Sequence, residues 1–230
     1  SAGIGIVQFS PDGKKVVGSC GNSRALVWDA ITGTLLAELP VNTSSVARSV
    51  WFSPDNTKIL TAALFGAVKI WNAGTYALLI NLNMGERVVH AAQFSPDGKK
   101  LITATGYHSA QLWDVPTGNL LADTEGHTER IYPAKYSPDG KKIIAFTESG
   151  RPRVWDTGKT VLLLDLNGSF SGAFFRDYSP DNKKAIISDS SLKVWDTEKN
   201  LLLTELTGSE GYCYSAFFSR DHKKVIAAFG

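Results

Sequence analysis

Short apolar runs alternate with polar turn clusters along the whole chain, a pattern of strands and tight turns. One stretch shows the grammar. Residues 88–94 (VVHAAQF) predict a strand, and Pro96, Asp97 and Gly98 predict a tight turn after it. Proline presets φ, aspartate bonds nearby backbone, and glycine permits positive φ. Residues 101–105 (LITAT) predict the return strand, 106–109 a loop, and 110–113 (AQLW) a third strand. Residues 116–118 (PTG) turn again before a short fourth strand at 119–122. The expected unit is a four-stranded antiparallel meander. Such a sheet has two apolar faces and cannot bury both alone.

The same text recurs. SPDGKK at 10–15 returns as SPDNTK at 53–58, SPDGKK at 95–100 and at 137–142, SPDNKK at 179–184, and SRDHKK at 219–224. The steps are 43, 42, 42, 42 and 40 residues. A second marker runs in phase, a tryptophan followed by Asp or Asn: Trp28, Trp71, Trp113, Trp155 and Trp195. Two independent markers at one period define a repeat protein. Radial stacking of the units would bury their faces, with the tryptophan and the aromatic residue before each turn serine supplying much of the packed area.

A period of about 42 residues, four strands per unit and a Trp-Asp pair closing the third strand resemble the tryptophan–aspartate (WD) repeat family of β-propellers. The resemblance covers the whole chain. It implies an all-β fold, a β-propeller of four-stranded antiparallel blades. Five complete blades are expected at about 4–39, 46–80, 88–122, 130–166 and 172–206, plus a half blade at 212–230, in one domain spanning 1–230. Gly126-His127 matches the family's Gly-His dipeptide. In the family such a histidine joins a strand Ser or Thr, a loop Asp and the tryptophan in a buried network. Here the loop position six before Trp155 is Ser149, and the fifth unit, with Asp189 there, lacks the Gly-His. No unit carries the full set.

The half blade is expected to hold two strands, at 214–218 and 225–229. A lone hairpin is marginal and presents an open edge. Three explanations stay open: a longer native propeller, completion by another chain, or closure with one short blade. In the family the ring usually closes when one terminus supplies the missing strand.

Composition changes this picture little. Apolar residues make up 43% and charged residues 20%, which excludes a disordered or collagen-like chain. The net charge of +2 implies no nucleic-acid or membrane partner, and no apolar run approaches a membrane span. Cys20 and Cys213 cannot form a disulfide framework and are expected as buried free thiols. Residue 1 is serine, so a missing signal peptide carries no weight. His90, His108, His127 and His222 lack metal-ligand spacing, and no nucleophile elbow or phosphate-binding loop is present. The aspartates recur with the period, which suits structure better than catalysis. The expectation is a non-enzyme without cofactor or metal.

Eleven lysines follow the turns, at 14, 15, 58, 99, 100, 141, 142, 183, 184, 223 and 224. Stacking would gather them on one face, where six turn aspartates dilute their charge. A solvated face is expected there, with polyanion binding as the alternative.

Candidate binding positions come from comparing the units. Five residues before each turn serine stand Gly5, Arg48, His90, Tyr132, Phe174 and Tyr214; seven before stand Gly3, Val46, Val88, Arg130, Gly172 and Tyr212. Six before each tryptophan stand Asn22, Phe65, Tyr107, Ser149 and Asp189. In the family these positions rim the central channel on the loop face. The expected partner surface is Arg48, Phe65, His90, Tyr107, Arg130, Tyr132, Phe174 and Tyr214, with the aromatic and arginine content of interface hot spots. Tyr132 and Phe174 equally suit packing between blades. The resemblance implies a rigid scaffold binding a protein or peptide within a multiprotein complex, in the cytoplasm. The alternative is a spacer or homo-oligomer sharing strands through the half blade.

Overall fold

The structure, a computed structural model, describes residues 4–20, 23–41, 47–106, 109–123, 131, 134–147, 152–158, 162–165, 174–189, 191–199, 201–206, 213–221 and 223–230. The recurring turn is a small hydrogen-bonded device. The serine hydroxyl donates to the aspartate two residues on, at 2.7 Å for Ser10–Asp12 and 2.6 Å for Ser95–Asp97. That carboxylate accepts the N–H of the residue two further on, as from Lys99 at 3.0 Å. The serine oxygen in turn accepts the N–H of the second lysine, at 2.9 Å from Lys100. Gly13, Gly98 and Gly140 have φ of 70°, 69° and 71°. Asn56 and Asn182 take the same left-handed place at 61° and 62°, the conformation asparagine tolerates best after glycine. The turn sequence is therefore legible residue by residue.

These turns close hairpins, and the chain divides into two units, 1–134 and 135–230. In the first unit, β1 (Ile4–Phe9), β2 (Lys15–Cys20), β3 (Arg24–Asp29) and β4 (Leu35–Pro40) form one antiparallel sheet in chain order. A second sheet has seven strands: β5 (Ala47–Phe52), β6 (Lys58–Ala63), β7 (Phe65–Asn72), β8 (Leu78–Phe94), β9 (Lys100–Thr105), β10 (Ser109–Asp114) and β11 (Leu120–Asp123). This corrects the expectation of two separate sheets at 46–80 and 88–122. β8 is continuous, pairing with β7 through Leu78–Asn83 and with β9 from Val89 onward. The connection at 81–87 (NLNMGER) has no proline and no turn dipeptide. Phe65 pairs with Val88, and Val89 N–H donates to the Leu64 carbonyl at 2.8 Å, so the extended backbone stays bonded while it changes partner.

The second unit holds β12 (Lys135–Tyr136), β13 (Lys142–Phe146), β14 (Pro152–Asp156) and β15 (Leu162–Asp165) in one sheet. β16 (Phe174–Tyr178), β17 (Lys184–Ser188), β18 (Leu192–Asp196) and β19 (Leu201–Leu206) form the next, and β20 (Cys213–Phe218) pairs with β21 (Val225–Phe229) as a hairpin. The described residues are all-β, and no helix among them is long and apolar enough to cross a membrane.

Each repeat tryptophan lies opposite the second residue of the preceding strand, as Val16 faces Trp28 and Ile59 faces Trp71. Trp71 and Trp113 donate their indole N–H to Thr61 and Thr103, at 2.9 and 3.0 Å. The residue after the tryptophan caps the next turn: Asp29 accepts the N–H of Ile31 and Thr32, and Asp196 those of Glu198 and Lys199. Both recurrent acidic positions thus serve the backbone.

Consecutive sheets meet through their first and second strands, β1 and β2 against β5 in one unit and β16 and β17 against β20 in the other. In one seam Val17, Val27 and Leu39 pack against Val50, Phe52 and Trp71. In another, Ile144 and Val154 pack against Tyr178 and Trp195. Each such apolar side chain, fully buried, contributes about 1.5–3 kcal/mol. Phe9 departs from its column. Phe52, Phe94, Tyr136 and Tyr178 are buried, but Phe9 is exposed. Phe52 and Tyr178 fill seams with the sheet before them, and β1 belongs to the first sheet. The leucine pairs Leu35-Leu36, Leu78-Leu79 and Leu120-Leu121 are also exposed.

Candidate functional site

An extra residue on one strand of an antiparallel pair makes a bulge, which bends the strand and re-aims a side chain. The pairing of β5 with β6 skips Arg48 between Ala47 and Ser49. That of β8 with β9 skips His90, and that of β20 with β21 skips Tyr214. All three stand five residues before a turn serine. Three described members of the column singled out for its variable large residues are thus bulged, while Phe174 of the same column pairs with Ser188. In β16 the skip falls two residues later, at Arg176.

The bulges gather part of the expected surface in each unit. In the first, Phe65 is 53% exposed and pairs with Val88. The Gly106 N–H donates to the Val88 carbonyl at 2.8 Å. A Cβ on Gly106 would stand 3.2 Å from His90 Nε2, so half-buried His90 lies over this glycine. In the second unit, the Arg176 guanidinium lies 5.3 Å from the Phe174 ring centre. It donates to Ser188 Oγ at 2.6 Å, to the Tyr214 carbonyl at 3.3 Å and to the Cys213 carbonyl. Phe174 is 43% exposed and Tyr214 65%. Tyr107, Arg130 and Tyr132 lie outside the described residues, as do His127, Ser149 and the Arg48 side chain.

Arg176 was not among the expected residues, yet its column marks it. Three before each turn serine stand Val7, Val50, Ala92, Ala134, Arg176 and Ala216. One arginine among small apolar residues is the signal; the unit comparison sought large variable residues and passed over a column of small ones.

Asp189 is engaged locally and points to no ligand. Burial pushes its carboxyl up, but Lys193 Nζ at 2.6 Å and the Ser191 N–H at 2.9 Å outweigh this and hold it below the usual carboxylate range. The turn lysines divide by position. The first of each pair is exposed. The second is drawn across a seam in two described cases: Lys15 Nζ donates to the Ala73 carbonyl at 2.6 Å and sits 5.0 Å from the Tyr76 ring, and Lys142 Nζ reaches Thr197 Oγ1 at 3.5 Å.

Cys20 and Cys213 are buried and free, and burial raises the Cys20 thiol. Among the described residues no three His, Cys, Asp or Glu side chains converge as metal ligands. The arrangement offers aromatic rings, an imidazole and a guanidinium on and beside bulged strands. No protein-family model matches this sequence, and no curated protein matches it.

Proposed function

We propose that the chain is a β-propeller of the WD-repeat kind and works as a non-catalytic scaffold, binding a protein or peptide on its loop face. The bulge column carries this reading. Bulges cost ladder pairing, and here they recur where side chains differ between repeats while the turns and tryptophans stay constant. Residues held at bulged strand mouths are preorganised, so binding adds little ordering cost. The repeat period and the packing of consecutive sheets through their first strands support radial stacking. A cytoplasmic partner complex belongs to the same reading.

Two measurements test it. Small-angle scattering of the full chain should give the profile of a flat ring; an elongated profile removes the propeller. Phe65→Ala with His90→Ala, and separately Tyr214→Ala, should each reduce capture of the same proteins by the immobilised chain. Unchanged capture by folded variants removes the loop-face site.

A further inference from the structure

The turn after a repeat tryptophan uses one left-handed residue. Gly33, Tyr76 and Gly118 hold that place, with φ of 71°, 61° and 72°. Each donates its N–H to the carbonyl of the residue that follows the tryptophan, at 3.0 Å to Asp29, 2.8 Å to Asn72 and 2.8 Å to Asp114. Glycine suits the place, and a bulky side chain is strained there. Tyr76 therefore holds a backbone conformation whose cost something else must offset.

The next repeat shows what offsets it. A Cβ on Gly118 would stand 3.2 Å from Ile80 Cγ2 and 3.6 Å from Leu82 Cδ2. A side chain at this place thus points at the preceding repeat. Ile80 lies opposite Ile70, one residue before Trp71. Its counterpart one repeat earlier is Ala37, opposite Val27, one residue before Trp28. Where the strand offers isoleucine the following turn carries glycine, and where it offers alanine the following turn carries tyrosine. Ala37 and Tyr76 pack against the same buried cluster, which joins Val27 and Leu39 of the first repeat to Phe52 and Trp71 of the second. Ile80 packs against the cluster of the next seam, with Leu82 and Val115.

The lysines follow the same division. Lys15 crosses its seam, its ammonium 5.0 Å from the Tyr76 ring centre and 2.6 Å from the Ala73 carbonyl. Lys58 stands at the same place one repeat later, where the facing turn has Gly118 and no ring. Its ammonium turns back into its own hairpin, to Thr57 Oγ1 at 2.9 Å and Asp55 at 3.8 Å.

We propose that Ala37–Tyr76 and Ile80–Gly118 are matched small–large pairs that fix the order in which the first three repeats pack. A turn seated on the wrong repeat would place Gly118 over Ala37, which leaves a hole, or Tyr76 over Ile80, which overlaps. The turn serines and tryptophans are common to these repeats and cannot tell one neighbour from another. Misassembly of like units is the failure that repeat proteins risk. The strained tyrosine is the means of that discrimination. The inference is independent of what the loop face binds.

Two double-mutant cycles in the full chain, read as urea-unfolding midpoints, test it. In the first, Tyr76→Gly should lower the midpoint of the parent and raise that of Ala37→Ile, a coupling of about tenfold in the unfolding equilibrium. In the second, Gly118→Tyr should lower the midpoint, and adding Ile80→Ala should recover part of the loss, although Ile80→Ala alone destabilises. Should Ala37→Ile not fold, Ala37→Val replaces it, and the second cycle needs neither. Lys15→Ala separates ring stacking from filling: the coupling of residues 37 and 76 should persist in its background. Additive effects in either cycle overturn the proposal. Coupling that vanishes with Lys15 assigns Tyr76 to ring stacking alone and overturns it as well.

Discussion

Arg176 Nε donates to Ser188 Oγ at 2.6 Å across the β16–β17 bulge, while the same guanidinium reaches the Tyr214 and Cys213 carbonyls of β20. One side chain therefore ties the bulge of one sheet to the first strand of the next. Arg176→Ala should destabilise the hairpin by about 1.5–3 kcal/mol, the range for hydrogen bonds to a charged group. Amide exchange should speed up across Cys213–Phe218 and not in the first unit. Ser188→Ala, which removes one acceptor, should cost less.

The lysine pairs make a paired test. Lys15 is held by the Ala73 carbonyl and the Tyr76 ring, whereas Lys14 is exposed. Lys15→Ala should lower stability by about 1 kcal/mol. Lys14→Ala should stay within about 0.5 kcal/mol of the parent. Thermal melts at matched ionic strength compare them directly, and equal effects would remove the seam role of the second lysine.

Thr61 is buried and accepts the Trp71 indole N–H at 2.9 Å. Thr61→Val keeps the shape and removes the acceptor, leaving a buried donor without it. A loss of about 1–3 kcal/mol is expected in urea unfolding. Thr103→Val should behave alike through Trp113.

Acid should loosen the turns. The Ser10 hydroxyl bond holds the Asp12 carboxyl below its usual range, and that of Ser95 does the same for Asp97. At Asp55 burial acts upward, but the bonds from Ser53 and Thr57 prevail and bring it to about 2. These groups take up protons less readily folded than unfolded. Their contribution is complete above about pH 4 and is lost as pH falls toward 2. The melting temperature should drop across that window, and the Asp55→Asn variant should lose less of it than the parent.

Much of this was legible in the chain. The Ser-x-Asp turn, its left-handed Gly or Asn, the hairpins and the periodic tryptophan all rest on bonds between residues a few positions apart. Near neighbours encode such bonds directly, and the strands at 101–105 and 225–229 fall where the pattern places them. The loop-face column was legible as a position, because repeats expose which places vary.

Its physical meaning came from the tertiary structure. Whether a residue pairs or bulges depends on register with another strand, so Arg48, His90 and Tyr214 could be singled out but not recognised as bulges. The continuity of β8 follows from Phe65 and Leu64 holding residues 88 and 89, partners more than twenty positions away. Burial depends on the neighbouring sheet: Leu39 is buried with Trp71 and Ala73, more than thirty positions away. Local hydrogen bonding was written in the sequence itself, whereas register and cover, set by residues about one repeat apart, were decided by the fold.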